Sequence, residues 1–324
     1  MKNRLLFKKY SIRANVESMK TLVTGGAGFI GSHLVDRLIK DGFHVTVIDN
    51  LSTGRKEYIN PNAAFYKEDI TDDRAIYRIF KKEKPVYVFH LAAIPRVPLS
   101  VEDPVGTSRV NIMGTLNVLK AALDTKVKRV VFASSSAVYG DQKKLPLKED
   151  MIPQPISPYA LQKSVGEQCG RLFFVLYGLP VVSLRYFNVY GPRIDFRSDY
   201  GLVIGRFLRL HREGKPLTIF GDGRQTRAFC YVDDVVEASV RAMKSKKLKG
   251  DEVINVGGME SHSVRAIAKL MGGEFTYLPP RQGDVRHTKA STSLAHRLLG
   301  WKQKMSFEEG IEKTKQWFEQ TPIL

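Results

Sequence analysis

The stretch TGGAGFIGS, residues 24–32, decides the fold of this chain. It follows a short apolar run at residues 21–23 and opens a helical pattern in which Ile30, Leu34 and Leu38 recur every four residues. A strand, a glycine-rich turn and a helix N-terminus in this order form a seat for a pyrophosphate group. The sequence therefore predicts a strand–turn–helix unit that binds a phosphate-containing ligand.

The three glycines of this stretch have separate tasks. Gly25 permits the tight turn, Gly28 lets the backbone approach the phosphates, and Gly31 lets the helix pack close to the strand. A second apolar run, residues 44–48, ends in Asp49, at the distance expected for an acid that accepts hydrogen bonds from a ribose. This combination predicts a dinucleotide site. A carboxylate would repel a 2′-phosphate, so NAD is favoured over NADP.

Apolar runs alternate with helical patterns along the first two thirds of the chain. The runs lie at residues 20–25, 44–49, 64–70, 86–92, 130–134 and 181–187, with helices predicted between them, among these 107–123 and 159–177. This alternation is typical of an α/β fold, a Rossmann-type doubly wound parallel sheet covered on both faces. Another strand, residues 252–256, is predicted to return to the sheet.

After residue 187 glycines and prolines separate shorter elements, which indicates a second unit. We predict a dinucleotide-binding domain from residues 19–187 and 229–258. A smaller, interleaved α+β substrate-binding domain takes residues 188–228 and 259–324. The basic residues 1–18 are an N-terminal extension, unless Met19 is the true start of the chain.

Composition narrows the function classes. The chain has 324 residues, of which 43% are hydrophobic and 26% charged, and no apolar run approaches the roughly 20 residues that span a membrane. The two cysteines indicate a reducing, cytoplasmic location, and the seven histidines show no metal-ligand spacing. The net charge of +18 suits anionic small molecules; without a basic stripe interleaved with aromatic residues, we expect no nucleic-acid partner.

Two further motifs carry groups suited to chemistry on an alcohol. Tyr159 and Lys163 are spaced to share one face of a helix. A nearby ammonium favours the phenolate form of a tyrosine, which then serves as a general base. The hydroxyls of Ser134, Ser135 and Ser136 follow an apolar strand and can hold a substrate oxygen.

The glycine turn, the serine run and the Tyr159/Lys163 pair, in this order, resemble the extended short-chain dehydrogenase/reductase family from residue 19 onward. Within it, the stretches HLAA (90–93), RYFNVYG (185–191), FGDG (220–223), TRAF (226–229) and GDVRH (283–287) resemble UDP-hexose 4-epimerases, especially those acting on UDP-N-acetylglucosamine.

The resemblance implies a set of site residues. The catalytic groups are Tyr159, Lys163 and Ser135. The implied NAD contacts are Gly25, Gly28, Phe29, Ile30, Gly31, Asp49, Asn50, Ser52, Thr53, Gly54, Asp69, Ile70, Leu91, Ala92, Ala93, Asn111, Ser134, Tyr159, Lys163 and Tyr186. The implied substrate contacts are Ser135, Ser136, Tyr159, Asn188, Phe220, Arg227, Arg281, Asp284 and Thr288, and no metal is expected.

The resemblance also implies a reaction and a partner. Tyr159 takes the proton of the sugar 4-hydroxyl, Ser135 hydrogen-bonds the same oxygen, and a transient 4-keto sugar forms by reversible oxidation with tightly held NAD. Thr288 stands where a tyrosine is frequent in glucose-type enzymes, so an N-acetyl group is expected to fit. Helices 107–123 and 159–177 are expected to form a four-helix bundle in a homodimer.

Alternative functions remain open at this stage. Dehydratases and decarboxylases of the family place an acid just after the catalytic hydroxyl. This chain has Ser136 and Ala137 there, and neither can serve as that acid, so both activities are disfavoured. A dehydrogenase that releases its reduced cofactor is a further alternative. A non-catalytic NAD-binding regulator is the alternative from another class. The family's usual residues are also replaced by Pro95 and Arg96 near the hexose, and by Ala228 after Arg227.

Overall fold

The computed structural model describes residues 20–197, 202–280 and 285–322, so the basic segment 1–18 lies outside the described residues. The strands are β1 (Lys20–Thr24), β2 (His44–Ile48), β3 (Ala64–Tyr66), β4 (Tyr87–His90), β5 (Arg129–Ser135), β6 (Val181–Tyr186), β7 (Val189–Tyr190), β8 (Leu217–Phe220), β9 (Thr226–Ala228), β10 (Cys230–Tyr231), β11 (Val253–Val256), β12 (Ser261–Ser263), β13 (Phe275–Leu278) and β14 (His287–Thr288).

The helices are α1 (Phe29–Lys40), α2 (Asp73–Glu83), α3 (Val97–Glu102), α4 (Pro104–Ser108), α5 (Thr115–Asp124), α6 (Pro158–Tyr177), α7 (Val203–Arg212), α8 (Val232–Lys244), α9 (Val264–Met271), α10 (Ser293–Leu299) and α11 (Phe307–Glu319). A π-helical segment, Arg109–Gly114, joins α4 to α5, so the helix predicted at 107–123 is longer and changes its hydrogen bonding midway. Short 3₁₀ helices occupy Lys56–Tyr58 and Ser136–Tyr139.

Seven parallel strands form the central sheet in the order β11-β6-β5-β4-β1-β2-β3. The predicted α/β fold with a doubly wound parallel sheet is confirmed. The predicted strand at 252–256 joins as β11 at the edge beside β6. The run predicted at 64–70 is wrong in length, because β3 ends at Tyr66 and Asp69 then accepts a hydrogen bond from the Thr71 amide in a turn.

The two faces of the sheet bury separate apolar clusters. Leu22 of β1 packs on one face with Ile76 and Phe80 of α2, whereas its neighbour Val23 packs on the other face with Leu34 of α1. Successive strand residues point to opposite faces, so a sheet covered on both sides needs a continuous apolar run. Both clusters hold the strands rigidly, and the carboxyl ends of the strands form one edge on which a site can be built.

Past β6 the chain makes three small sheets, ordered β10-β7, β12-β9-β14 and β13-β8. The domain boundaries given above stay a prediction. Helix α6 begins at Pro158 because the Ser157 hydroxyl accepts a hydrogen bond from the Ala160 amide (3.2 Å), and it ends at Gly178, whose φ is 72°. In the described ranges, every helix is too short or too polar to cross a membrane.

Candidate active site

A cavity of about 800 Å³ opens at the carboxyl ends of the sheet strands. Most of the residues predicted for the site line it, although they come from distant parts of the chain. These are Gly25, Gly28, Phe29, Ile30, Gly31, Asp49, Asn50, Ser52, Thr53, Asp69, Ile70, Leu91, Ala92, Ala93, Ser134, Ser135, Ser136, Tyr159, Lys163, Tyr186, Asn188, Arg227 and Thr288.

Three of the predicted residues do not line this cavity. Gly54 packs behind the carboxylate of Asp49. Asn111, in the π-helical segment, exchanges hydrogen bonds with the backbone of Ile94 and donates one to Gln162. The Phe220 ring lies beside the Arg206 guanidinium, 4.7 Å from the ring centre. Two others, Arg281 and Asp284, lie outside the described residues.

The glycine turn leaves no room for side chains. Gly25 has a φ of 74°, and a Cβ there would lie 2.6 Å from the backbone nitrogen of Ala92. A Cβ on Gly31 would overlap the carbonyl oxygen of Gly25. Helix α1 starts at Phe29 without a side-chain cap or an acid in its first turn, so its first amides remain available for an anion. This geometry fits the pyrophosphate of a dinucleotide.

Asp49 and Asp69 stand at one end of the cavity. The Asp49 carboxylate accepts hydrogen bonds from the amides of Ala27 (3.0 Å) and Leu51 (2.8 Å), and burial raises its pKa against the effect of these bonds. Burial also acts to raise the pKa of Asp69, but hydrogen bonds, including one from the Asn50 side chain (2.8 Å), outweigh it and lower that pKa. The Asp49 carboxylate suits ribose hydroxyls and repels a 2′-phosphate.

Tyr159 lies at the start of α6 and is 8% exposed. Its amide donates to the Ser100 hydroxyl (3.0 Å), which fixes the first turn of the helix. Its side chain lines the cavity together with Ser135, at the end of β5. Burial raises the pKa of Tyr159, and the Ser135 hydroxyl opposes the rise. Tyr159 and Ser135 thus present two adjacent hydroxyls to the cavity.

Lys163 lies one helical turn after Tyr159 and is 4% exposed. Its Nζ donates to the carbonyl oxygen of Ala133 (2.7 Å) and lies 4.9 Å from the centre of the Phe132 ring. Burial lowers the pKa of Lys163 to about 8, and Glu167 opposes this change. A buried ammonium that retains one strand partner has donors left for a ligand or a phenolate.

A buried ion pair lies behind these groups, and the sequence analysis missed it. Glu167 accepts hydrogen bonds from Arg185 Nε (2.8 Å), from Arg185 Nη2 (2.7 Å) and from the Ser134 hydroxyl (2.5 Å). The hydroxyl of Ser134 is therefore directed at Glu167. The sequence did carry a signal for Glu167. It follows Lys163 by four residues and therefore continues, as a charged residue, the helix face that holds Tyr159 and Lys163.

The other end of the cavity is held by long-range contacts. Asn188, with a φ of 41°, donates from Nδ2 to the carbonyl oxygen of Ala228 (3.0 Å) and to the hydroxyl of Thr288 (3.1 Å). Arg227 donates to the backbone of Thr226 and Arg286. The Tyr186 hydroxyl is hydrogen-bonded with Ser239 (2.8 Å), so only its ring faces the cavity.

A segment that we call the strap, residues 191–197, forms part of the cavity wall through residues 193–197 and was also missed. His33 Nε2 hydrogen-bonds the Pro192 carbonyl (2.9 Å), and Arg193 pairs with Asp36 of α1 (2.8 Å). On the other side, Arg96 pairs with Asp195 (2.8 Å). These pairings join residues far apart in sequence, which is why local patterns did not indicate them.

No group of three or more metal-binding side chains occurs in the part of the chain that the structure describes. The cavity instead combines an anion seat, two carboxylates, two hydroxyls and a buried ammonium. This set fits NAD, whose pyrophosphate, riboses and nicotinamide need partners of these kinds.

Comparison with known proteins agrees with this geometry. A family model described as the NAD dependent epimerase/dehydratase family matches residues 21–257. The crystal structure of a Thermotoga maritima UDP-glucose 4-epimerase with UDP-glucose superimposes with a TM-score of 0.90 at 42% identity, covering 93% of this chain and 99% of that chain.

Relatives with other named activities are similar as well. A UDP-N-acetylglucosamine 4-epimerase from Methanobrevibacter ruminantium, solved with UDP-N-acetylmuramic acid, has a TM-score of 0.88 at 39% identity over 94% of this chain and 99% of that chain. A UDP-N-acetyl-alpha-D-glucosaminuronate decarboxylase from Bacillus cytotoxicus is 36% identical in an alignment that covers 92% of this chain and 97% of that protein. This chain belongs to the NAD-dependent epimerase/dehydratase family.

Proposed function

We propose that the protein is a UDP-hexose 4-epimerase that interconverts UDP-glucose and UDP-galactose with tightly bound NAD. The observation that carries the proposal is that Tyr159, Ser135 and Lys163 line one cavity, with the Lys163 ammonium held at the end of β5 one helical turn after Tyr159. Two hydroxyls beside a buried cation form a device for moving the proton of an alcohol. The similarity to named UDP-sugar 4-epimerases supports the same reaction.

NAD would be held by the glycine turn, with Asp49 at the adenosine ribose and Lys163 at the nicotinamide ribose. When bound, it supplies reversible oxidation of the sugar carbon. Tyr159 in its phenolate form removes the hydroxyl proton, and Ser135 holds the same oxygen. Lys163 stabilises the phenolate, which burial otherwise disfavours by raising the pKa of Tyr159. Tyr159 returns the proton when the oxidation is reversed on the other face of the sugar.

Decarboxylation and dehydration are less well supported. Each needs an additional acid or base in the residues after the catalytic hydroxyl, but Ser136 and Ala137 occupy those positions. A plain dehydrogenase and a non-catalytic NAD-binding regulator are the remaining alternatives. A regulator has no need of Tyr159, Lys163 and Ser135 together, and all three line one cavity.

We propose that N-acetylated sugars are accepted too. Thr288 lines the cavity at the end opposite Asp49, and its hydroxyl is engaged by Asn188. A threonine there leaves more space than the tyrosine frequent in glucose-type enzymes. The relative named as a UDP-N-acetylglucosamine 4-epimerase supports this extension.

The working unit that we propose is a homodimer. Apolar side chains stand exposed on α4 and α6, including Val105 at 79% and Leu176 at 63%, with Leu161, Leu172 and Val175 nearby on α6. Exposed apolar residues on adjacent helices are typical of an interface. Both cysteines are unpaired, which supports a reducing, cytoplasmic location. The proposed reaction would serve carbohydrate metabolism, such as galactose use.

Incubation of the purified protein with UDP-galactose or UDP-N-acetylglucosamine, without added NAD, tests the proposal. We expect NMR spectra to show the 4-epimer of each sugar. A parallel incubation with UDP-glucuronate distinguishes decarboxylation, which releases CO₂ and leaves a UDP-pentose, from epimerisation. Reduced cofactor accumulating with a keto or acid product would indicate a dehydrogenase. No conversion of any sugar, even with added NAD, would refute the proposed function.

A further inference from the structure

The buried carboxylate of Glu167 has no role in the reaction described above, and it does not line the cavity. We propose that Glu167 is a positioning residue that aligns the end of β5 with α6 and maintains the positive charge of Lys163. The proposal rests on the proposed function, because it assigns Glu167 a task only if Tyr159, Lys163 and Ser135 carry the reaction.

Three consecutive residues of β5 lie beside side chains of α6 that are four residues apart. Ala133 accepts a hydrogen bond from Lys163, Ser134 donates one to Glu167, and Ser135 lines the cavity together with Tyr159. Residues at i, i+4 and i+8 of a helix share one face, so one face of α6 contacts one short stretch of strand. Loss of the contact between Ser134 and Glu167 would free Ser134, which lies between Ala133, the partner of Lys163, and the reactive Ser135.

Arg185 holds the buried Glu167 carboxylate in place with a bidentate contact. Its guanidinium donates two hydrogen bonds to the carboxylate and lies 4.5 Å from the centre of the Tyr139 ring. Tyr139 is in turn hydrogen-bonded to Asn255 of β11 (2.7 Å). Residue pairing places Ser134 opposite Arg185 on adjacent strands, so the ion pair connects α6, β5 and β6 at one level. A bidentate pair of this kind fixes orientation as well as charge.

The charge of Glu167 reaches Lys163 through the same face. The groups around Lys163 in the described structure are Tyr159 and Glu167 of α6, His90 of β4 and, behind Glu167, Arg185 of β6. His90 bonds to two threonine hydroxyls, and burial, with Lys163 adding to it, lowers its pKa to about 3, so it stays neutral. Glu167 is therefore the negative charge that opposes the burial of the Lys163 ammonium.

The Glu167→Gln variant tests the proposal, because glutamine keeps the shape and an acceptor but loses the charge. Loss of a nearby negative charge lowers the pKa of Lys163, which Glu167 otherwise raises. We expect the alkaline limb of the bell-shaped profile of kcat against pH, where Lys163 loses its proton, to move to lower pH by about one pH unit, the order expected for a charge several ångströms away. We also expect kcat to fall about tenfold with KM within about twofold, because Glu167 does not line the cavity.

Glu237→Gln is the matched control. Glu237 also pairs with arginines, Arg37 (2.7 Å) and Arg241 (2.5 Å), but it lies on α8 outside the cavity. A purely structural loss lowers stability without moving the pH profile, and this is the result expected for Glu237→Gln. Ser134→Ala, which keeps the ion pair, is expected to lower kcat at an unchanged profile position.

If Glu167→Gln does not fold, the double variant Glu167→Gln/Arg185→Met removes both charges and leaves neither buried alone. A profile shift to lower pH is expected again, smaller than for the single variant. A folded variant with the wild-type profile would overturn the proposed charge effect. These results are read only after the wild-type enzyme has been shown to epimerise, so failure of the proposed function is recognised separately.

Discussion

Tyr159→Phe removes a single oxygen atom, so it tests the catalytic role of Tyr159 with little effect on folding. The ring stays in place because it is buried, and the lost hydroxyl faces the cavity beside Ser135. Loss of even a full hydrogen bond costs about 1 kcal/mol, which changes the melting temperature of a chain of this size by a few degrees at most. A general base contributes about 10²–10⁴-fold, equivalent to about 3–5 kcal/mol of barrier. We therefore expect kcat to fall at least about 100-fold in a protein that still folds and still retains NAD.

Tyr190→Phe provides the comparison. Tyr190 is fully buried, and its hydroxyl donates to the backbone of Ser306 and Phe307, away from the cavity. Both variants are assayed for conversion of UDP-galactose and for thermal unfolding. The expected pattern is a similar small loss of stability in both and a large loss of rate in Tyr159→Phe alone. Retention of more than about one tenth of the rate in folded Tyr159→Phe would refute Tyr159 as the base.

Three more predictions concern specificity, stability and assembly. Thr288→Tyr is expected to lower the rate with UDP-N-acetylglucosamine at least about tenfold relative to UDP-galactose; equal loss with both sugars would contradict the space argument. Because burial lowers the pKa of Lys163 from 10.5 to about 8, the unfolded chain binds more protons between these values, and stability rises with pH there. Urea unfolding should show that the free energy of unfolding of Lys163→Met lacks this rise, which reaches up to about 3 kcal/mol in the wild type. The same rise in the variant and the wild type would contradict the effect of burial on Lys163. Sedimentation should show a wild-type dimer and a monomer for Val105→Glu/Leu176→Glu; an unchanged dimer would place the interface elsewhere.

The parts of the fold that depend on local rules were predictable. The glycine turn follows from backbone space, since a Cβ at Gly25 or Gly31 meets backbone atoms, and the strands follow from apolar runs buried on both faces. The length of β3 was mispredicted although the sequence carried a signal for its end. Charged residues at 67–69 interrupt the apolar run after Tyr66, and the Asp69 carboxylate closes a turn by accepting a hydrogen bond from the Thr71 amide.

Side-chain roles that depend on distant partners were harder to predict. A sequence pattern cannot show that the Asn111 amide donates hydrogen bonds to Ile94 and Gln162, or that Phe220 lies beside Arg206. The ion pair of Glu167 and Arg185 needs the register between α6 and β6, which only the folded chain supplies. Such contacts come from the packing of helices on the sheet and leave a weak trace in the order of residues.

The strap links cofactor exchange to ionic strength. It forms part of the cavity wall and is tied to α1 through Asp36 and to the loop after β4 through Arg96, so it moves away from the cavity only when an ion pair breaks. Both pairs are partly exposed, and added salt weakens exposed pairs. If movement of this wall limits release, the dissociation rate of a dinucleotide in the cavity should rise with ionic strength, although the turn that seats its pyrophosphate is made largely of uncharged backbone.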